Sequence, residues 1–529
     1  MKPTFNLLDE PWIPCVPMGG GVTTEVGIRE VLLNAHKYAE VYCDSPLITV
    51  SLHRLLLAVL YRACRPSDSS DWQRLWQGGI PRETVNDYLE RWRERFDLFD
   101  DKHPFYQVAR LRTGSGTLEN WVDKPFAVIR LANEAPDQNQ PTLFDHRTYD
   151  DMSPYPSAVV ARWLVASQSF GICSSNSSNV RLGDEIITTP GCKDGLGVAG
   201  MLVWLSGQTL QQTLLLNLVP YGSPSCADDD SAAWERDDWV SLCKSSWTNA
   251  RKLAGPAERY TWQGRLIRLL PGDEEGRTVK AVYFTQGCSA EEDRAGEPMG
   301  AYSRKDENTP WERVKLVRDK AAWRDAHALL GHSESRFKPP EAVGFIASRM
   351  DDGDLPEDVE YTVNAAGIAK GSNPAKLMLW RHDRFPAPGG LLRNRDLIES
   401  LDSAISESEK IARRLNGATR ELCKSFLDRG GRAPDPAEVS KLADSIDPTP
   451  VYWSRIEPHF YTFLRDLPVD RDKALNEWLE AIVRMARRAF DESSEQLGQS
   501  LWAIRARAMV RASFRVQADN AESGKEVKK

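Results

Sequence analysis

The sequence predicts an α+β fold: a large mixed N-terminal domain over residues 1–388, an antiparallel four-helix bundle over 389–518, and a disordered tail over 519–529. Two observations carry that reading. The first ~390 residues show no regular alternation of strand and helix and are broken by Pro- and Gly-rich connections, which argues against a parallel α/β sheet. Beyond Gly390 the apolar residues fall into a sustained helical period instead.

The elements follow in chain order. FNLLDEPWIP, Phe5 to Pro14, reads as a strand entering a turn, and Thr23 and Thr24 are cap candidates for a first helix running to about Tyr38. Leucine density over Leu47–Ala63 predicts a helix buried on most faces. Pro81 stands at a first helical position, ahead of a stripe of Val85, Tyr88, Leu89, Trp92 and Phe96. HPFYQV, His103 to Val108, reads as a strand. A polar loop follows over 133–154, longer than most connections in a compact domain.

A helix over Ser157–Ser169 leads into a second polar stretch, Gly171 to Asp194. GMLVWLSG (Gly200–Gly207) reads as a buried strand and TLQQTLLLNLVP (Thr209–Pro220) as a core segment. Strands are predicted at Leu266–Leu270 and Lys280–Phe284, the latter in alternating style. The bundle helices run over 391–428, then through Trp453–Leu467, Leu475–Ala486 and Leu501–Val516. Gly430-Gly431, Pro434, Pro436, Pro468 and the Ser493–Gln499 stretch mark the breaks.

The composition narrows function by exclusion. At 529 residues, 41% hydrophobic and 27% charged, the chain is globular. No window reaches the ~18 apolar residues of a membrane helix, and Asp9 and Glu10 break up any signal-peptide layout. A protein without membrane contact, located in the cytoplasm, is expected. The nine cysteines contain no pair closer than Cys226 and Cys243, so neither CxxC chemistry nor a disulfide framework is expected. The eight histidines are scattered, and no HExxH, Walker A, GxSxG or GxGxxG motif occurs. Neither a catalytic residue, a metal site nor a cofactor is expected. Net charge is -8, yet residues 401–529 carry 22 basic against 21 acidic side chains. Nucleic-acid contact would therefore rest on local basic patches.

Five stretches, in order along the chain, carry a resemblance: FNLLDEPWIP, HPFYQV, SGQTLQQTLLLNL at 206–218, ERYTWQGRLIRLL at 258–270 and LMLWRHDRF at 377–385, followed by the helical C-terminal region. Together they resemble the CasA family, the large subunit of the type I-E CRISPR Cascade complex. The resemblance implies a non-enzymatic subunit with a mixed N-terminal domain and a C-terminal four-helix bundle. Its implied partners are the other Cascade subunits, crRNA, double-stranded target DNA and a recruited helicase-nuclease. Its implied task is to read a short protospacer-adjacent motif (PAM) from the minor groove and start strand separation.

Carried onto this sequence, the resemblance names a minor-groove loop after the helix ending at Phe170, with Gly171, Ser174, Ser175 and Asn176 as contacts. Here the loop reads FGICSSNSSN where the family is often glycine-rich; the alternative is an ordinary surface loop. Arg265 takes the place of a basic residue that enters the minor groove, with Arg268 as its rival. A wedge is implied at AKGSNPAK (369–376), with Lys370, Ser372 and Asn373 at its tip, against a solvated hairpin turn. Phe144, beside His146, is the candidate of a loop that contacts crRNA or the rest of the complex. Cys173 and Cys192 lack the paired spacing of a zinc set. In the bundle, Arg484 and Arg488, and Arg507, Arg511 and Arg515, form basic ridges that meet either phosphates or neighbouring carboxylates.

Two other readings compete. One is a scaffold that binds protein partners and touches no DNA. The other is a thiol hydrolase using Cys173 with a distant His103 or His382.

Overall fold

The computed structural model describes residues 2–135, 152–173, 178–291, 296–331, 336–371, 377–428 and 433–510. The chain falls into two units: Met1–Leu355 with Tyr361–Arg384, and Pro356–Glu360 with Phe385–Lys529. The dividing point thus comes four residues ahead of position 388, and the second unit takes in 356–360 as well. The reason is local. The Gly389 N–H donates to Val359 O at 2.9 Å, Arg465 pairs with Glu360 at 2.6 Å, and Arg393 pairs with Glu357.

At the centre of the first unit lies the helix Pro46–Cys64. Ser45 caps it by accepting from Ile48 N–H, Pro46 occupies a first-turn position, and Arg65, at φ 48°, ends it in the left-handed region. Every residue from Leu47 to Tyr61 is buried. Its length and composition match a membrane span, contrary to the expectation above. Yet 83% of its most apolar window is buried inside the protein, against the helices Ser157–Phe170, Pro256–Tyr260 and Arg82–Arg91. Each leucine so buried contributes about 2 kcal/mol relative to exposure.

The α+β class holds, with helices and small, mostly antiparallel sheets intermixed. Arg265–Pro271 pairs in register with Thr278–Gln286. Leu202–Ser206 pairs with Thr362–Ala366, and Leu377–Pro388 flanks that strand on its other side. Leu111–Ser115 and Val122–Asp123 join the hairpin Ser178–Leu182/Glu185–Thr189 in a four-stranded sheet.

Several expected elements are corrected. The first helix does not run from Thr23 to Tyr38: Thr24–Val26 is a strand, and the helix covers only Ile28–Leu33. Gly27 lies so close to the Leu8 carbonyl that a Cβ has no room, and the helix starts after it. HPFYQV is a turn rather than a strand. Tyr106 has φ 55°, and Phe105 and Tyr106 stack at 4.2 Å, with Phe105 also stacked on Phe96 at 5.4 Å. Within the polar stretch 171–194 a hairpin forms, turning at Gly183 (φ 61°). Only Val180 and Thr189 are fully buried in that hairpin, too few to show as an apolar alternation. Cys243 and Cys288, 45 residues apart, form a disulfide.

The second unit is helical. Arg395–Leu427, Thr449–Asp466 and Arg471–Glu495 pack on one another. The last two run antiparallel: Arg455 pairs with Glu492 at 2.7 Å at one end, and Phe463 lies 5.6 Å from Trp478 at the other. Tyr452 OH donates to Ser408 O and Trp478 Nε1 to Ala404 O, so both side chains tie their helices to the first. Between the first and second helices stands one more, Pro436–Ser445, capped by Asp435. The sequence reading treats that segment only as a break. A further helical run covers 501–510.

The strand Leu377–Pro388 carries a pH-sensitive group. His382 stacks on Trp204 at 5.1 Å and shares a 3.0 Å hydrogen bond with Asn364 Oδ1. Burial, then the Arg384 guanidinium, holds its pKa down at about 4. The folded value lies below the ordinary 6.5, so the stabilisation of the neutral ring is complete above pH 6.5. It is lost as pH falls towards 4. About 3 kcal/mol is at stake, about 2 of it by pH 5. Denaturant midpoints at pH 7 and pH 5 should show this drop, and His382→Gln, which keeps a donor to Asn364, should flatten it.

Candidate nucleic-acid interface

The site grows from the C-terminal end of the helix Ser157–Phe170. Phe170 is fully buried, and a Cβ placed on Gly197 would lie 2.7 Å from its ring. Gly171 follows as the cap, its N–H donating to Ser167 O at 2.9 Å. A Cβ there would stand 2.7 Å from both Ser167 O and the Arg265 guanidinium. Only glycine lets the chain leave the helix at that approach.

Arg265 opens the strand Arg265–Pro271 and is 2% exposed. Gln168 brackets its backbone, accepting from Arg265 N–H at 2.9 Å and donating to Arg265 O at 3.1 Å. The guanidinium donates to three carbonyls: Gly264 at 2.8 Å, Ile172 at 3.1 Å and Lys193 at 2.7 Å. Burial lowers its pKa, against Cys192, Asp194 and Cys173, which raise it. The last two carbonyls belong to opposite ends of the excursion 172–193, so Arg265 closes its neck.

A second clasp sits beside the first. Asp194 accepts Cys173 N–H through Oδ1 at 2.8 Å and the Lys370 ammonium through Oδ2 at 2.6 Å. Lys370 Nζ also lies 3.6 Å from Cys173 Sγ. Lys370 is the last residue of the strand Glu360–Lys370, and the next described strand is Leu377–Pro388. Gly195 N–H donates to Gly171 O at 2.8 Å and completes the neck. Thus the structure gathers three of the expected elements in one place: the start of the loop after Phe170, Arg265, and the base of the hairpin at Lys370.

The roles of individual residues change. Phe170 is a core residue with no exposed face for DNA, which corrects its place among the contacts. Arg265 is corrected likewise: a guanidinium spent on three internal carbonyls is not available to a groove. Arg268 is half-buried in the same strand, 3.5 Å from Leu111 O. Lys370 is ion-paired and one-fifth exposed. Ser174, Ser175, Asn176, Ser372, Asn373, Phe144, His146, Arg511 and Arg515, and the tail 519–529, lie outside the described residues.

In the second unit, Arg484 and Arg488 are exposed and form no ion pair among the described residues. Burial, and then Arg484, lowers the His459 pKa. Arg507, expected to meet either carboxylates or phosphates, bonds Ser494 O and Gln499 Oε1, each at 3.3 Å. Asp194 and Gln168, which organise the neck, belong to no motif that could signal them.

Among the described residues no group of three or more His, Cys, Asp and Glu stands together as a ligand set. His103 lies 3.6 Å from Asp237 and His382 bonds Asn364, while Cys173 lies beside Lys370. These contacts do not assemble a thiol–imidazole pair.

Residues 6–489 match the family model described as CRISPR-associated protein Cse1. A CRISPR-associated protein CasA/Cse1 of Thermus thermophilus is 33% identical over 528 residues, covering 96% of each chain. The crystal structure of a Thermus thermophilus CasA superposes with a TM-score of 0.80 at 30% identity, over 98% of this chain and 100% of that one. A chain of a CRISPR RNA-guided surveillance complex shares the fold with a TM-score of 0.75, at 20% identity, over 97% and 99% of the two chains.

Proposed function

The chain belongs to the CRISPR-associated Cse1 family, and on that premise we propose that it is the non-catalytic large subunit of a crRNA-guided surveillance complex, one that reads the PAM from the minor groove and begins to open target DNA. The observation that carries this reading is the shared neck, where Gly171, Arg265, Asp194 and Lys370 bring the start of one loop against the base of a hairpin. A reader of a few base pairs and an opener of the first step must act side by side on one duplex, and a neck that joins the start of one loop to the end of the strand Glu360–Lys370 supports that pairing.

In this reading the loop residues Ser174, Ser175 and Asn176 approach the minor groove beyond Gly171, and Ser372 and Asn373 beyond Lys370 form the wedge. Arg265 supports the loop from inside. The minor groove presents acceptors and only the guanine amino donor, so several related PAMs are tolerated. Guide pairing supplies the remaining discrimination. The wedge offsets unstacking of a few kcal/mol per step. Phe144 and His146 are assigned to crRNA or a neighbouring subunit. Arg484 and Arg488, exposed in the helical unit, face phosphates or an acidic partner. The four-helix bundle completes the subunit, and the assembled complex recruits a helicase-nuclease.

The test is reconstitution with the other subunits and crRNA, followed by binding to duplexes carrying a PAM library. A wrong base pair in the PAM should weaken binding about 10- to 100-fold. Equal affinity for PAM-bearing and PAM-less duplexes removes the reading and leaves a protein scaffold.

A further inference from the structure

The Asp194 carboxylate serves two elements at once. One oxygen holds the backbone of the loop at Cys173, 2.8 Å away; the other holds the ammonium at the end of the hairpin strand, 2.6 Å away. No intervening side chain is needed, so a displacement of the loop neck reaches the hairpin base through a single rigid group. The loop side of that group is stiff, because Arg265 fixes the carbonyls of Ile172 and Lys193 on either side of it and Gly195 N–H bonds Gly171 O. The hairpin side is stiff as well, because Thr362–Ala366 is paired to Leu202–Ser206 in the sheet behind Lys370. The ion pair is therefore the adjustable joint between two braced elements. It is also partly open to solvent, with Asp194 37% and Lys370 20% exposed in their side chains, which keeps its strength modest and lets it shift.

We propose that Asp194 is a positioning residue that couples the minor-groove loop to the opening hairpin, so that engagement of the PAM by one and separation of the adjoining base pair by the other occur as a single event. The inference rests on the functional reading above and deepens it. Asp194 touches no DNA in this scheme; it sets the distance between two elements that do. Its carboxylate also neutralises Lys370, so Lys370 acts here through position and not as a free cation seeking phosphate.

Asp194→Asn separates these roles. The amide oxygen still accepts Cys173 N–H, while the charge that holds Lys370 is gone. In the assembled complex with crRNA, opening is followed by 2-aminopurine fluorescence at the first protospacer position, beside affinity for a target already unpaired there. The expected result is opening slowed about fivefold on the fully paired duplex, the scale of one partly exposed ion pair. Affinity for the pre-opened target and PAM discrimination should stay at wild-type values, and Asp194→Glu should recover most of the rate. Asp194→Asn combined with Lys370→Met should be no slower than the slower single variant, since both remove one joint. Wild-type or faster opening by Asp194→Asn overturns the coupling, because it makes Asp194 a mere shield over a DNA-binding Lys370. If the wild-type complex itself shows no PAM dependence, both the coupling and the functional reading fall. If PAM dependence stands while Asp194→Asn opens normally, the coupling alone falls. Should Asp194→Asn fail to fold, Lys370→Met carries the same rate prediction.

Discussion

Glu297→Ala is expected to destabilise the first unit by about 3–5 kcal/mol, read as a lowered denaturant midpoint of the isolated chain. The Glu297 carboxylate is 3% exposed and meets Arg54, itself 1% exposed, through two bonds of 2.7 and 3.3 Å. Arg54 projects from the central helix Pro46–Cys64, donates also to Arg259 O at 3.2 Å, and lies 4.6 Å over the Tyr260 ring. Removing the carboxylate leaves the 1%-exposed Arg54 guanidinium without the carboxylate it is bonded to. Arg313 and Arg259 aggravate this, since both act on Glu297 alongside Arg54. The loss is therefore the cost of an orphaned buried cation, not the net value of the pair. Replacing both partners, Arg54→Met with Glu297→Leu, should recover part of it, and a double variant as unstable as Glu297→Ala alone would refute that account.

The same pair gives an acid signature. Burial by itself would raise the Glu297 pKa, but Arg54, then Arg313 and Arg259, outweigh it and hold it below the ordinary 4.5. A depressed carboxylate contributes stability that is complete above its unfolded value and lost as pH falls through the folded one. Glu297 therefore acts below about pH 4.5, after His382 has already withdrawn its share between pH 6.5 and 4. Acid unfolding should show the histidine phase first.

What is legible in the sequence follows from which signals are local. The helices Thr449–Asp466 and Arg471–Glu495 write their burial as a 3.6-residue period, and that period needs no knowledge of partners. The helix Pro436–Ser445 buries only Ala443 fully, so it leaves no stripe to read. HPFYQV reads as a strand, but its aromatic residues serve a stack around a left-handed Tyr106, and that arrangement depends on Phe96 and Trp234 from elsewhere. Arg265 illustrates the deeper difficulty. The resemblance marks its position, but a charge in a sequence is read as exposure, and here it is buried because two distant backbone segments, at 172 and 193, supply its acceptors. Carbonyls carry no sequence signal at all. Asp194, likewise, matters through one backbone N–H and one lysine 176 positions away.

Arg265→Met carries the second large effect, and it separates a buried clasp from a finger in the groove. Losing the guanidinium strands the buried Gly264 carbonyl and the part-buried Ile172 and Lys193 carbonyls, so the isolated chain should lose about 2–4 kcal/mol. Arg265→Lys should not restore it, because a single ammonium cannot span three acceptors set for a planar fork. Gly171→Ala should act in the same direction by a different route, pushing its Cβ into Ser167 O and the same guanidinium; about 1–3 kcal/mol is the scale of such overpacking. In the assembled complex Arg265→Met should weaken PAM-bearing targets because the loop loses its anchor. A direct phosphate contact would also lower the salt slope of binding by about one when removed. A clasp that never touches DNA predicts weaker binding with an unchanged slope. A slope that falls by one, in a chain of undiminished stability, would return Arg265 to the groove and leave the neck without its central tie.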